Sequence, residues 1–256
     1  HEVTNLAELP AADAIILNLT PAQVLRVTGT TDDAGSQLAR PTRRRLRGWR
    51  YGTAAYKVDF LLDGPIPWTN PAVAGAGTVH VVGGSQELIR AEADVAAGRL
   101  PRYPFVMVCQ QHAADPTRAT GDAAGKTVVW AYAHVPHGYQ ETRPGEIARL
   151  ITNQIERFAP GFQQRVLKQV ETAPADLESW NPNLIGGDVA GGAMNGRQAL
   201  LRPGFTLDPY RVPTLRGTAK HTARLYLASS STPPGAGVHG MPGAWAAHAV
   251  TKDFTD

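Results

Sequence analysis

The apolar residues of this chain fall into short runs and alternating stretches, the pattern of strands, and a few stretches show helical spacing. Strands are predicted over these ranges: 14–19, 54–62, 78–82, 104–110, 126–135, 166–172 and 223–227. Capping residues and apolar spacing predict helices over these ranges: 21–27, 85–97, 144–158 and 244–250. The segment 30–50 is polar and is interpreted as a loop or a poorly ordered helix. Mixed strands and helices predict an α/β protein with a βα unit near each end.

Composition is that of an ordinary soluble globular protein. Of the 256 residues, 43% are hydrophobic and 18% are charged. No apolar run approaches the ~20 residues of a membrane helix. The sequence does not open with a basic segment followed by an apolar one, so we expect a cytoplasmic protein without a membrane span. The first residue is His rather than Met, which favours a processed or truncated N-terminus.

Charge and potential metal ligands narrow the function classes further. The net charge is only +3, and the one dense basic cluster, 43–50, is interpreted as a solvated segment rather than a nucleic-acid contact. We therefore expect no nucleic-acid partner. Cys109 is the only cysteine, which excludes a disulfide within the chain and a Cys-based metal site. The histidines lack the spacing of metal ligands, so no metal site is expected.

A glycine motif near the C-terminal end is the strongest chemical signal. Gly235, Gly237 and Gly240 spell G-x-G-x-x-G between a predicted strand and a predicted helix. There, glycines let backbone amides and a helix N-terminus face a phosphate or another electron-rich group. A dinucleotide fingerprint also needs a further strand and an acidic residue ~20 positions on. The sequence has room for neither, so this motif alone does not indicate an NAD-binding protein.

Six sequence blocks, in order, carry a family resemblance. They are YGTAAYKVD (51–59), GPIPW (64–68), WAYAHVP (130–136), QIERFAPGF (154–162), NPNLIGGD (181–188) and STPPGAGVHGM (231–241). Together they resemble the C-terminal half of phytoene-desaturase-like FAD-dependent oxidoreductases, in the amine-oxidase-like flavoprotein superfamily. Within these the chain is similar to the branch called pyridine nucleotide-disulphide oxidoreductase domain-containing protein 2. One departure is Pro242, where relatives often place Cys.

The resemblance implies a fold in which the chain returns at its end to complete a flavin site. Residues 1–50 and 197–256 are then expected to be remnants of an FAD-binding, Rossmann-like layer. Residues 51–196 are expected to be an α+β substrate-binding domain with a mixed or antiparallel sheet. The implied cofactor is FAD, with its site only partly present in this chain. The residues expected to contact it are Thr232, Pro234, Gly235, Gly237, Val238, His239, Gly240 and Met241.

Several candidate residues keep a second interpretation. The glycines fit a tight packing turn as well as a flavin contact, and His239 could approach the ring or be satisfied by backbone. Trp68, Trp130 and Tyr132 suit an apolar substrate pocket, although core packing is the ordinary role of aromatic strand residues. Asp188 could orient a substrate or stand as a turn residue. No catalytic acid or base is assigned, because a flavin would perform the hydride transfer itself.

The function expected on this basis is the substrate-binding and flavin-completing portion of an FAD-dependent oxidoreductase. The substrate would be a small apolar or amine-bearing molecule. An N-terminal dinucleotide-binding half, in the same chain or as a separate subunit, would be the partner, and the isolated chain would not be active alone. A fragment, a split subunit and a decayed remnant all fit the sequence. The alternative function is a non-catalytic binding or assembly module derived from such an enzyme.

Overall fold

A computed structural model of the chain describes residues 2–29, 38–204, 206–214 and 223–255. The helices in these ranges are α1 (Pro21–Val27), α2 (Arg40–Arg47), α3 (Ser85–Ala96), α4 (Gln111–Ala114), α5 (Glu146–Glu156), α6 (Phe162–Arg165), α7 (Pro174–Trp180) and α8 (Met241–Thr255). The strands are β1 (Ala14–Leu17), β2 (Ala54–Leu62), β3 (Thr78–Val81), β4 (Val106–Cys109), β5 (Thr127–Val135), β6 (Val166–Thr172), β7 (Arg211–Val212) and β8 (Arg224–Leu227). The predicted α/β class is confirmed. Among the described residues, no helix combines the length and apolar character needed to cross a membrane.

The chain divides into two compact units. The first unit combines His1–Gly52 with Asn181–Asp256, and the second is the continuous stretch Thr53–Trp180. The second boundary lies after Trp180 rather than after residue 196, because the glycine-rich segment 181–196 bonds to residues of the first unit. The roles assigned to the two parts stay predictions.

The second unit is built on a five-stranded antiparallel sheet in the order β3-β4-β5-β2-β6. Burial alternates along β5 and over most of β2, because successive side chains of a strand point to opposite faces. One face packs against α5, where Ile147, Ile151 and Ile155 join the apolar core. Those three residues stand at the four-residue spacing that places side chains on one side of a helix. The opposite face, here called the outer face, remains half-buried.

The first unit is built on a three-stranded sheet in the order β1-β8-β7, with β1 and β8 parallel. The two terminal βα units therefore share one sheet, as their pattern predicts. Leu225 and Leu227 of β8 pack in one apolar cluster with residues of α1 and α2. Tyr226, which lies between them in sequence, packs in a separate cluster with Ala246 and Ala249 of α8. The period of two along β8 thus separates two cores on opposite faces of the sheet.

Helix α1 begins where the sequence predicts, but its cap differs. Thr20 occupies the N-cap position and makes no side-chain capping bond. The amide of Ala22 donates instead to the Tyr51 hydroxyl at 3.1 Å, and that hydroxyl donates to Thr20 Oγ1 at 3.1 Å. Tyr51, a residue distant in sequence, therefore binds the first-turn amide that an N-cap side chain ordinarily binds.

Four helices differ from the sequence-based expectation: the four-residue helices α4 and α6, which were not predicted, and the longer helices α2 and α7. Helix α2 is regular, whereas the polar segment 30–50 predicts a loop or a poorly ordered helix. Residues 30–37 of that segment lie outside the described residues. Arginine favours helix, but α2 buries only Thr42, Arg43 and Leu46, which is too few apolar residues to reveal a period. Helix α7 was not predicted, and it buries only its first residue and Leu177.

Candidate functional site

The segment that carries the glycine motif leaves β8 and leads into α8. Its first part is buried and bonded to other parts of the first unit. Ser231 Oγ donates to the Gly191 carbonyl at 2.6 Å, and the Tyr210 hydroxyl donates to the Pro233 carbonyl at 3.1 Å. Thr232, which lies between Ser231 and Pro233 in the sequence, is fully buried. The start of the segment is therefore a fixed base from which the glycine-bearing part extends.

Beyond this base, residues 236–240 form an exposed stretch, here called the loop tip. Gly235, Gly237 and Gly240 have φ angles of 104°, 151° and 63°, a region that favours glycine. In the part of the chain that the structure describes, none of the backbone amides of the loop tip donates to a protein acceptor. The side chain of Val238 is fully exposed. The loop tip thus presents backbone donors at the surface of the first unit.

His239 connects the loop tip to α8. Its Nδ1 accepts the amide of Met241, the first residue of α8, at 3.1 Å. Because Nδ1 is the acceptor, the neutral ring carries its proton on Nε2. His239 therefore acts as a helix cap, which agrees with the interpretation of a backbone-satisfied loop histidine. The exposed Nε2–H remains a donor toward solvent or a ligand.

Arg202, which sequence reasoning did not single out, is fully buried behind the same segment. Its Nη2 and Nε donate to the Ser230 carbonyl at 3.0 and 3.2 Å, and its guanidinium lies 5.0 Å from the ring centre of Trp49. Its Nη1 donates to Met194 Sδ at 3.1 Å. Burial lowers the pKa of Arg202, and the carboxylate of Asp188 acts in the opposite direction. A single arginine in a stretch without apolar periodicity gives no local signal of such a role.

Asp188 is also fully buried in the first unit. Its Oδ2 accepts the Gly52 amide at 2.6 Å, and its Oδ1 accepts the Ala190 amide at 2.7 Å. The expected position in a substrate domain differs from this one, and both oxygens are already bonded to backbone. We therefore assign Asp188 to the framework that holds the glycine-rich segment, which is close to the alternative of a turn residue.

Trp130 and Tyr132 lie together on the outer face of the sheet in the second unit. Their rings are nearly parallel, with centres 6.1 Å apart. The Lys57 ammonium lies 5.7 Å from the Trp130 ring centre and bonds to the carboxylate of Asp59 on the same strand. Burial raises the pKa of Tyr132, so this phenol is neutral at physiological pH. The outer face therefore combines stacked aromatic rings with an internally balanced ion pair.

Trp68 has a different environment. It packs against the apolar core, and its Nε1 donates to Gln110 Oε1 at 2.8 Å. Gln110 in turn donates to the backbone carbonyls of Val73 and Ala76. Trp68 therefore holds a loop on the core, which agrees with the core-packing interpretation, while the pair Trp130 and Tyr132 stays available on the outer face.

No protein-family model matches the chain. The chain is 31% identical over 197 residues to the pyridine nucleotide-disulfide oxidoreductase domain-containing protein 2 of Rattus norvegicus, a match covering 73% of the chain and 32% of that protein. It is 32% identical over 165 residues to the protein of the same name from Mus musculus, covering 62% of the chain and 27% of that protein. The chain thus matches about a third of the length of these curated relatives. The similarity supports a relationship to the oxidoreductase family.

Proposed function

We propose that the chain is the substrate-binding and flavin-completing portion of an FAD-dependent oxidoreductase of the phytoene-desaturase-like, amine-oxidase-like type. The observation that carries this proposal is the exposed loop tip, whose amides donate to no protein acceptor among the described residues. Exposed backbone donors that lie next to a helix N-terminus are available to a ligand. The relatives named as oxidoreductases support the same interpretation.

The residues of the loop tip fit a ring that gains electron density when it is reduced. Gly237 and Gly240 have positive φ angles and carry no side chain that could cover the neighbouring amides, whereas the amide of Gly235 is bonded to the Thr232 carbonyl at 2.9 Å. The N-terminus of the fifteen-residue helix α8 follows directly and adds positive potential. When bound, FAD would take up the hydride and electron density removed from a substrate. The chain's own part would be to offer N–H donors from the loop tip and His239 Nε2.

The second unit supports the substrate part of the proposal. Trp130 and Tyr132 offer apolar, half-buried ring surface on the outer face, where a small apolar molecule could stack. Trp68 stabilises the neighbouring loop, and Asp188 stays outside this part of the proposal because its carboxylate is bonded to backbone. The substrate would be positioned by these surfaces, with no acid or base supplied by the protein.

A dinucleotide-binding half would be the partner, within a longer chain or as a separate subunit. The curated relatives are about three to four times as long as their matched parts, which leaves room for such a half in them. Because the adenosine and pyrophosphate contacts would lie there, the isolated chain is expected to bind FAD weakly or not at all. A purified chain that retains stoichiometric flavin without a partner would contradict this requirement.

Lumiflavin, the ring system without ribityl phosphate, tests the loop tip directly. Titration of the isotopically labelled chain should shift the amide resonances of residues 236–240 and leave those of the second unit's core unchanged. Gly237→Ala should reduce these shifts, because its Cβ would lie 2.6 Å from His239 Cδ2. The matched control is Gly196→Ala, at a positive-φ glycine of the first unit whose Cβ would meet open space. Absent shifts, or equal shifts in both variants, would contradict the proposal.

A second candidate function is a non-catalytic binding or assembly module. The observation that favours it is exposed apolar surface near the start of α8, at Val238, Met241 and Trp245. Such residues mark contact sites when they cluster. Native mass spectrometry distinguishes the two: a stable complex without any flavin response supports the module, whereas a clean monomer counts against an obligate partner.

A further inference from the structure

We propose that the outer face of the second unit binds an apolar molecule that carries one negative charge, with its charged end at Lys168. The site is a cavity of about 400 Å³ that includes Trp130. The inference rests on the proposed function in that it names a substrate class for the same aromatic surface. It also narrows that class, because it favours an anionic molecule over an amine.

Strand register builds the floor of this cavity. On β5 and β2, Trp130 lies opposite Asp59, and Val128 lies opposite Leu61. Directly paired residues of neighbouring strands point to the same face, with Cβ atoms about 5 Å apart. These four side chains therefore form a block on the outer face, and three of them are apolar.

The edge strand β6 extends the block by one more row. Val170 lies opposite Asp59, and Lys168 lies opposite Leu61. Val170 is half-exposed although it is apolar, so part of the floor faces solvent. Gln111 and Arg118, from the segment between β4 and β5, also line the cavity. An apolar chain lying along the strands would cover the exposed floor.

The charges around the cavity cancel except at one position. Lys57 bonds to Asp59, and Arg118 lies 3.6 Å from Asp115. In the described ranges, Lys168 forms no ion pair or hydrogen bond through its side chain, and it stands at the cavity edge. One uncompensated positive charge beside an apolar floor attracts an anion and repels a cation. The charge pattern therefore selects against an amine at this end.

Three ligands that differ only in their polar end test the proposal on the full chain. Decanoate, decanol and decylamine are titrated calorimetrically below their micelle concentrations, with tryptophan fluorescence as a second readout. We expect decanoate to bind about fivefold more tightly than decanol, the size of one partly exposed charge interaction. Decylamine should bind more weakly than decanol. Equal affinities, preference for the amine, or no binding of decanoate would each overturn the proposal.

Lys168→Gln locates the charge preference. This exposed substitution should remove the preference for decanoate and leave decanol affinity unchanged. Lys126→Gln is the matched control: Lys126 belongs to the same unit, pairs with Asp63 at 2.7 Å and does not line the cavity. A loss of preference in both variants would show a general charge effect and overturn the assignment. Circular dichroism checks that each variant keeps its fold.

The two proposals fail in different experiments. Lack of decanoate selectivity would reject the anionic class and leave the lumiflavin shifts of the loop tip intact. Lack of lumiflavin shifts would reject the flavin proposal and leave decanoate binding measurable on the second unit. Trp130→Leu links the results, because it should weaken all three aliphatic ligands without altering the loop-tip resonances.

Discussion

The second unit encloses one continuous apolar core between a five-stranded sheet and α5, whereas the first unit spreads fewer apolar side chains over both faces of a shorter sheet. The first unit adds buried polar side chains that bond to backbone, chiefly Arg202 and Asp188. In its irregular segments, backbone turns and side chains together supply the hydrogen bonds that a strand or helix would otherwise provide.

The two units therefore leave different groups available at their surfaces. In the second unit, regular pairing satisfies the backbone, so the side chains of Trp130 and Tyr132 on the outer face are not needed for that purpose. In the first unit, the fixed base of the glycine segment leaves the amides of the loop tip without protein acceptors among the described residues. On the proposed function, side chains would form the binding surface of the second unit, and backbone amides would form that of the first.

The largest expected effect comes from removing an apolar side chain from the core of the second unit. It tests how far apolar packing stabilises that unit. Ile151 is fully buried on α5, so Ile151→Ala should lower the free energy of unfolding by about 2–5 kcal/mol. Urea denaturation measures the loss, and hydrogen exchange should locate it in β2 and β5. Ile89→Ala, at an exposed isoleucine of the same unit, should change stability by less than about 0.5 kcal/mol. Similar losses in both variants would contradict this account.

Removal of the buried guanidinium should be nearly as damaging to the first unit. Arg202→Met keeps much of the side-chain length but leaves the Ser230 carbonyl without its donor, which should cost about 3 kcal/mol. Exchange should accelerate around residues 190–194 and at the base of the glycine segment. Arg44→Met, at an exposed arginine on α2, is the control and should be near neutral. If Arg202→Met were neutral, apolar packing alone would hold this unit as well.

The smallest effect concerns acid stability of the second unit. Hydrogen bonds from the Arg157 guanidinium, at 2.9 and 3.1 Å, lower the pKa of Glu87 to about 2. A lowered folded-state pKa stabilises the fold above the ordinary pKa of 4.5, and this contribution is lost as pH falls toward 2. Glu87→Gln should therefore lower the free energy of unfolding at pH 7 by less than about 1 kcal/mol. At pH 2 the substitution should leave the free energy of unfolding unchanged. Urea denaturation at the two pH values measures both effects. A loss of stability that persists at pH 2 would show that the ion pair is not its cause. Asp122→Asn, at an exposed carboxylate of the same unit, is the control.

Local pattern predicts the second unit better than the first, for a physical reason. Strand β2 begins and ends where the alternation of apolar and polar residues predicts, because one of its faces is buried in the apolar core. Strand β6 also has the predicted bounds, although burial does not alternate along it. The βα units of the first unit were also predictable. Arg202 and Asp188 were not, since their burial depends on contacts between distant segments that leave no period in the sequence. Helix α2 was obscured by its arginines, which leave it too few apolar positions to show a period.

The parallel pairing of β1 with β8 has a consequence for synthesis of the protein. Ala14 pairs opposite Arg224, so β1 leaves the ribosome long before its only strand partner in the described chain exists. Every partner strand of the second unit lies within Thr53–Trp180, and is therefore available earlier. During translation, β1 and its apolar residues therefore remain unpaired after all strands of the second unit have been made. Because unpaired apolar strands promote aggregation, we expect soluble expression of the protein to depend on chaperones that cover β1 until β8 has been made.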